Sequence, residues 1–172
     1  MTPLVSNLWP QFMVDPAFAA CFGQVIVEHA QMLRQERQVI FTLRSGAPLD
    51  KNLCARLLAS LQPDYEGFEL RIQNLFGYAM LDETALRDLM EEMKRDGVPI
   101  NGFLDRCKIN IIGQKITIGV CHGTKFLQEM HFEKLLAERI AAHTGVTPQV
   151  TLQSAVSEAE QHQMEEKLER KI

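Results

Sequence analysis

Two of the most chemically versatile residues in this chain are adjacent. Cys121 is followed by His122, and His131 lies close in sequence to Glu133. Thiolate and imidazole are good metal ligands, and a histidine can activate a cysteine as a nucleophile. The spacing of these residues matches no metal-site or catalytic pattern, so we predict neither a metal site nor a catalytic pair here.

The four cysteines are spread over the sequence without a CxxC pair, at positions 21, 54, 107 and 121. This spacing supports neither a zinc knuckle nor a redox motif. We expect reduced, partly buried thiols.

Paired carboxylates could act in catalysis only if the fold brought them into a concave, partly desolvated site. Here Asp and Glu fall almost entirely on predicted exposed helix positions and termini, while the predicted strand ends carry mainly Gly, Gln, Asn and Lys. The glycines at 113, 119 and 123 do not have the spacing of a phosphate-binding loop. We therefore predict no catalytic residue, no metal site and no cofactor in this chain.

The composition is that of a globular protein, with 46% hydrophobic and 23% charged residues in a chain of 172. A net charge of −4 does not favour a chain whose whole surface embraces nucleic acid, so any DNA contact would be local. No apolar run approaches the roughly 18 to 20 residues of a membrane-spanning helix, and the N-terminus lacks the pattern of a secretory signal. We predict a cytoplasmic protein with no membrane partner.

Hydrophobic patterns predict the order strand, strand, helix, strand in the first half. Two runs rich in β-branched and aromatic residues, at 25–29 and 39–43, are typical of paired strands. Asp50 is the predicted N-cap of a helix whose leucines recur every four residues. The alternating segment 68–72 predicts a half-buried strand, and a short helix is expected at 8–12.

A helix opens the second half. Asp82 is its predicted N-cap, and Gly97 is placed to end it in the left-handed conformation. Met90 and Met93 lie on its apolar stripe, where they could fill a core or bind a partner. A short helical turn is expected after Pro99.

The clearest hairpin follows, with strands at 108–112 and 115–120. A single helix is predicted from about 124 to 144, with His143 packed at the rim of the core. A closing strand around 150–152 completes a second series of strand, strand, helix and strand.

The repeated order predicts an α+β fold with two small strand-strand-helix-strand units. We place a first domain at 1–77 and a second at 78–154. Residues 155–172 are predicted to form a charged helical linker toward a further domain, because Glu166 and Arg170 have the favourable i, i+4 spacing.

Three lysines are the candidate contacts with nucleic acid or with a partner. Lys108 and Lys115 are predicted on the polar face of the hairpin, and Lys125 lies nearby in sequence. Lysines on strands are often simply solvated, so that interpretation stands beside a DNA contact.

Several segments together suggest a family. They are FELRIQNLF at 68–76, the Val98-Pro99-Ile100 junction, the hairpin through Gly113, the long helix to Gly145, and the ending QVTLQSAVSEAEQHQMEEKLERKI. Their succession resembles the N-terminal region of the PolC type of DNA polymerase III alpha subunit, the replicative polymerase of low-GC Gram-positive bacteria.

The resemblance implies a non-catalytic fragment of a DNA-directed DNA polymerase whose polymerase and 3′-5′ exonuclease centres lie beyond residue 172. It also implies that the second unit is similar to a K-homology fold, although the GXXG loop with which such folds grip single strands is absent from this sequence. We expect a replisome protein-interaction module with the clamp-loader tau subunit as partner. The alternatives are an auxiliary single-stranded nucleic-acid-binding module and an unrelated small α+β interaction protein.

Overall fold

The computed structural model describes residues 3–100 and 102–154, in which helices accompany two three-stranded sheets. The predicted α+β class is confirmed. The predicted linker at 155–172 lies outside the described residues.

The elements alternate along the chain in the order that the sequence predicted, with additional short helices. The strands are β1 (Ile26–Leu33), β2 (Gln38–Arg44), β3 (Glu69–Leu75), β4 (Lys108–Ile112), β5 (Lys115–Val120) and β6 (Gln149–Ser154). The α-helices are α1 (Val5–Leu8), α2 (Pro16–Phe22), α3 (Lys51–Leu61), α4 (Glu83–Arg95), α5 (Thr124–Glu129) and α6 (Phe132–Thr144), and 3-10 helices span Pro10–Val14, Gln62–Tyr65 and Tyr78–Met80. None of these helices is both long and apolar enough to cross a membrane.

The chain forms two compact units, one for each sheet. The first unit comprises the residues up to Leu81 together with Ala142–Gly145, and the second comprises Asp82–Ala141 and the residues from Val146 onward. The domains predicted from the sequence, 1–77 and 78–154, differ from these units at residues 78–81 and at Ala142–Gly145, which belong to the first unit.

In the first sheet, β2 is central, antiparallel to β1 and parallel to β3. Helix α3 makes the crossover between β2 and β3. The Asp50 side chain accepts hydrogen bonds from the amides of Asn52 and Leu53 at 2.8 and 3.0 Å, so the predicted N-cap is confirmed. Leu57 and Leu61 of α3 are almost completely buried in the core of the unit.

The short helix predicted at 8–12 is wrong in its bounds. Helix α1 ends at Leu8 and a 3-10 helix begins at Pro10, with Trp9 between them. Proline has no amide hydrogen, which interrupts the hydrogen bonding of a continuous helix. The break lets Trp9 pack edge-on against Phe41 of β2, with ring centroids 5.6 Å apart.

The last residues of α6 cover the outer edge of β3. The Phe76 amide donates to the His143 carbonyl at 3.0 Å, and His143 Nδ1 lies 2.6 Å from the Asn74 carbonyl, to which it donates. Gln73 also donates to the Ala142 carbonyl at 3.3 Å. His143 is buried, as the sequence predicted, because it closes this edge.

In the second sheet, β5 is central, antiparallel to β4 and parallel to β6. Gly113 turns the hairpin with a φ of +57°. Ile109 pairs with Ile118 and Ile111 pairs with Ile116, so these residues share the inward face. The predicted hairpin and its alternation are confirmed.

Helix α4 follows its start and stop signals. The Asp82 side chain accepts a hydrogen bond from the Ala85 amide at 2.8 Å, and Gly97 has a φ of +95°. Met90 and Met93 are 5% and 1% exposed, which places both in the core. The segment after Pro99 forms hydrogen-bonded turns where a helical turn was predicted.

The single helix predicted from 124 to 144 is wrong. The chain forms α5 and α6 with a break at His131, whose φ is +60° and whose carbonyl accepts from the Leu135 amide at 3.1 Å. After the positive φ at His131, α6 begins at Phe132. Phe132 and Leu136 of α6 are completely buried, as is Leu127 of α5. One straight helix could not direct all three side chains into the same core.

An arginine joins α6 to α4 within the second unit. Arg139 Nη1 lies 2.7 Å from a Glu92 carboxylate oxygen and 2.7 Å from an Asp96 carboxylate oxygen. All three side chains are less than one third exposed. These bonds are therefore screened less by water than a surface ion pair.

Candidate interaction surfaces

One face of the second sheet is buried and the opposite face is open. Ile116, Ile118 and Val120 of β5 are completely buried on the inward face. Helix α4 contacts β4, and helix α5 contacts β6. The outward positions hold no carboxylate; they are Lys108, Asn110 and Ile112 on β4, Lys115, Thr117 and Gly119 on β5, and Gln149, Thr151 and Gln153 on β6.

Two of the three predicted lysines, Lys108 and Lys115, lie on this open face. Lys108 is paired with Gly119 and Lys115 with Ile112, so the lysines stand at opposite ends of the hairpin, about 13 Å apart along the strand. Lys125 does not belong to this face, because it lies in α5, which follows β5 after the loop at 121–123.

An aromatic cluster lies at the loop that joins β5 to α5. The Phe103 ring meets His122 edge-on at a centroid distance of 5.4 Å and lies 5.5 Å from the Phe126 ring. Gly123 beneath it has a φ of +81°, and a Cβ there would stand 2.6 Å from the Phe103 ring. Only glycine fits this position, and Phe126 remains 42% exposed.

Four cations belong to the segment that contains the hairpin, His122 and Phe126. Residues 106–128 contain Arg106, Lys108, Lys115 and Lys125 and no carboxylate. All four are exposed, and none forms an ion pair within residues 3–100 and 102–154. We call Phe103, Arg106, Lys108, His122, Lys125 and Phe126 the basic aromatic surface.

Sequence reasoning found the lysines and missed the aromatic residues. The lack of carboxylates in 106–128 was visible in the sequence as a signal. The approach of Phe103 to His122 was not, because it depends on how the turns before β4 fold back on the β5 end.

A groove of about 370 Å³ lies beside α4 in the same unit. Its buried lining residues are Met90, Ile100 and Leu104, and charged residues of both signs surround them: Arg87, Glu91, Lys94 and Asp105. Asp105 precedes Arg106 in the sequence, and it lines this groove.

Arg87 holds the chain that enters β4. Its guanidinium donates to the Cys107 carbonyl at 2.8 Å and to Glu83 at 2.9 Å. The hydrogen bond with Glu83 raises the pKa of Arg87, and burial raises the pKa of the Cys107 thiol. Arg87 is thus committed to a structural role at the wall of the groove.

The outer edge of β1 is covered only over its first residues. Leu4 forms an antiparallel bridge with Ile26, and the Val27 amide donates to the Pro3 carbonyl at 2.8 Å. An irregularity in the pairing with β2 follows at Glu28. Beyond it, residues 29–33 have no backbone partner on the outer side within the described chain, and Met32 is 47% exposed.

At the outer edge of β6, a side chain occupies one of the backbone amides. The Glu133 carboxylate accepts a hydrogen bond from the Leu152 amide at 3.1 Å. A side chain therefore occupies a position that a neighbouring strand could otherwise use.

The structure does not assemble Cys121, His122, His131 and Glu133 into a metal site. Cys121 is exposed, and Glu133 serves the β6 edge. Within the described residues there is no group of three His, Cys, Asp or Glu side chains that could hold a metal ion. Burial raises the pKa of the Cys54 thiol to about 12.

Comparison of the chain with family models, with curated proteins and with solved structures finds no match. The PolC resemblance therefore stays a prediction.

Proposed function

We propose that this chain is a non-catalytic N-terminal attachment region of a cytoplasmic replicative DNA polymerase of the PolC type, and that it binds the clamp-loader tau subunit. Polymerase and 3′-5′ exonuclease activities would belong to other parts of the parent protein. The resemblance of the sequence supports the family, and two strand-strand-helix-strand units are compatible with the expected K-homology-like kinship of the second.

The outer edge of β1 at residues 29–33, which has no backbone partner among the described residues, is the observation that carries the attachment role. Proteins normally cover or blunt such edges, as Ala142–Gly145 covers β3 and Glu133 caps an amide of β6. An extended segment of a partner can add a strand to an open edge, with main-chain hydrogen bonds giving affinity. Residues 29–33 of β1 offer such an edge, and Met32 offers an apolar contact beside it.

The direct test is to titrate tau into the full chain by calorimetry and to follow amide hydrogen exchange in the complex. We expect binding and slower exchange in residues 29–33, with the β4 amides unchanged. Tau binding without protection of β1 would refute the edge as the docking site. Absence of binding, together with full function of the polymerase after deletion of residues 1–172, would refute the attachment role.

Two methionines provide a matched pair of variants. Met32 and Met80 are both 47% exposed in the first unit, but only Met32 belongs to β1. Complete burial of a methionine contributes about 1.5–3 kcal/mol, and Met32 is already about half buried, so its further burial contributes about 1 kcal/mol and Met32→Glu should weaken tau binding at least about fivefold. Met80→Glu should leave the affinity unchanged, and equal effects of the two variants would argue against the edge.

A further inference from the structure

We propose that the basic aromatic surface of the second unit binds single-stranded nucleic acid, with bases stacked on Phe126 and His122 and phosphates held by Arg106, Lys108 and Lys125. This inference is independent of tau binding, since it concerns a different unit, a different surface and a ligand of different chemistry.

The cations are available for phosphate. Most arginines with a described partner are committed to carboxylates, as Arg139 is to Glu92 and Asp96. Lys108 and Lys125 are exposed and form no ion pair within the described residues. A phosphate that binds to these side chains therefore does not have to break an ion pair with a carboxylate. The release of counterions from the nucleic acid then contributes to the affinity without the cost of breaking such a pair.

The aromatic rings are held in place before any ligand arrives. Phe103 lies against Gly123 and contacts both His122 and Phe126, which fixes the outer two rings on a shared support. Phe126 is 42% exposed, and His122 is also exposed. Stacking of bases on exposed rings is a recurrent way to bind single strands, because every base has a π face.

The open face of the second sheet extends the surface away from the cluster. Lys108 stands at the end of the sheet near the cluster, and Lys115 stands at the far end of the hairpin. Between and beside them lie hydroxyl and amide side chains that can donate to and accept from base edges: Asn110, Thr117, Gln149, Thr151 and Gln153. Because the outward positions of β4, β5 and β6 hold no carboxylate, a strand that crosses them meets no repulsive charge from these described residues.

These features favour a single strand over a duplex. Stacking on Phe126 requires a base whose face is free, which a duplex does not offer along its length. The three or four cations are also few for a site that relies on phosphates alone. An acidic protein segment would use the cations and gain little from the rings.

The test is fluorescence anisotropy of the full chain with dye-labelled oligo(dT) and oligo(rU), each measured from 50 to 200 mM salt. With three to four phosphate contacts, the slope of log affinity against log salt should be about −2 to −3, a loss of about 20- to 50-fold over this range. Binding of either oligonucleotide with this slope supports the proposal, and the tighter one identifies the sugar that is preferred. Absence of binding to both at 50 mM salt overturns it.

Variants separate the two kinds of contact. Lys108→Gln and Lys125→Gln should each make the slope less negative by about 0.7, whereas Lys134→Gln on α6 should leave it unchanged. Phe126→Leu keeps the apolar volume and should weaken binding at least about fivefold, while Phe126→Tyr keeps the ring and should bind normally. Circular dichroism verifies that each variant is folded.

Two competitors complete the test. A duplex of equal length should compete at least about tenfold more weakly than the single strand. Polyglutamate should compete weakly and should not respond to Phe126→Leu. Equal competition by either polymer, or binding that none of the surface variants alters, overturns the assignment of a single-stranded ligand.

Discussion

Substitution of Gly123 by alanine should destabilise the second unit through two separate effects. The residue has a φ of +81°, which costs an L-amino acid about 1–2 kcal/mol. The added Cβ would also lie 2.6 to 2.9 Å from three atoms of the Phe103 ring, so the ring has to move. Its contacts with His122 and Phe126 contribute about 0.5–1.5 kcal/mol each. The two effects together amount to a loss of about 2–5 kcal/mol.

Gly97→Ala is the matched control within the same unit. Gly97 has a φ of +95°, but a Cβ there would meet no atom within 4 Å. Its substitution should cost only the backbone term of about 1–2 kcal/mol. The excess at Gly123 therefore measures the clash with Phe103.

Urea unfolding followed by far-ultraviolet circular dichroism measures these free energies. The single tryptophan, Trp9, lies in the first unit, so its fluorescence reports that unit separately. In a Phe103→Ala background, Gly123→Ala should cost no more than Gly97→Ala, which gives an interaction energy of about 1–3 kcal/mol in the double-mutant cycle. Equal costs at both glycines in the native background would refute the close packing of Phe103 on Gly123.

Two further predictions concern an ion pair and the thiols. Arg139→Met should destabilise the second unit by about 1–3 kcal/mol, because it removes two charged hydrogen bonds of 2.7 Å. Lys134→Met should cost less than about 1 kcal/mol, because the 4.0 Å ion pair of Lys134 is exposed. Urea unfolding measures both losses, and equal losses would contradict this prediction. In a reaction with Ellman's reagent at pH 8, exposed Cys121 should give the fast phase, and Cys121→Ser should remove that phase. Cys54 should react slowly, because the thiolate is the reactive form and burial raises the pKa of the Cys54 thiol to about 12. A fast phase that remains in Cys121→Ser would contradict this prediction.

The parts of the fold that depend on neighbouring residues could be predicted from the sequence. Asp50 and Asp82 cap helices because each side chain reaches amides two or three residues ahead. Gly97 and Gly113 adopt positive φ where a helix ends and a hairpin turns. Such features need no knowledge of the tertiary structure.

Features that depend on distant residues could not be predicted. The break at His131 has no glycine or proline to mark it, and the reason for it is the shared core of α5 and α6. His143 was expected at the rim of a core, but its partner Asn74 is 69 residues away. For the candidate surface, a two-residue period placed Lys108 and Lys115 on one face, whereas the same reasoning could not separate Lys125 from them.

The cover on the β3 edge has a consequence for biosynthesis. The first unit needs Ala142–Gly145, so the ribosome must make much of the second unit before the first can be completed. At roughly 5 to 20 residues per second, the nascent β3 edge stays uncovered for several seconds. During that interval it can pair with other nascent chains, and a polypeptide that stops at Leu81 would keep this liability permanently. A shortened protein that is meant to contain the first unit alone therefore has to include the end of α6, Ala142–Gly145.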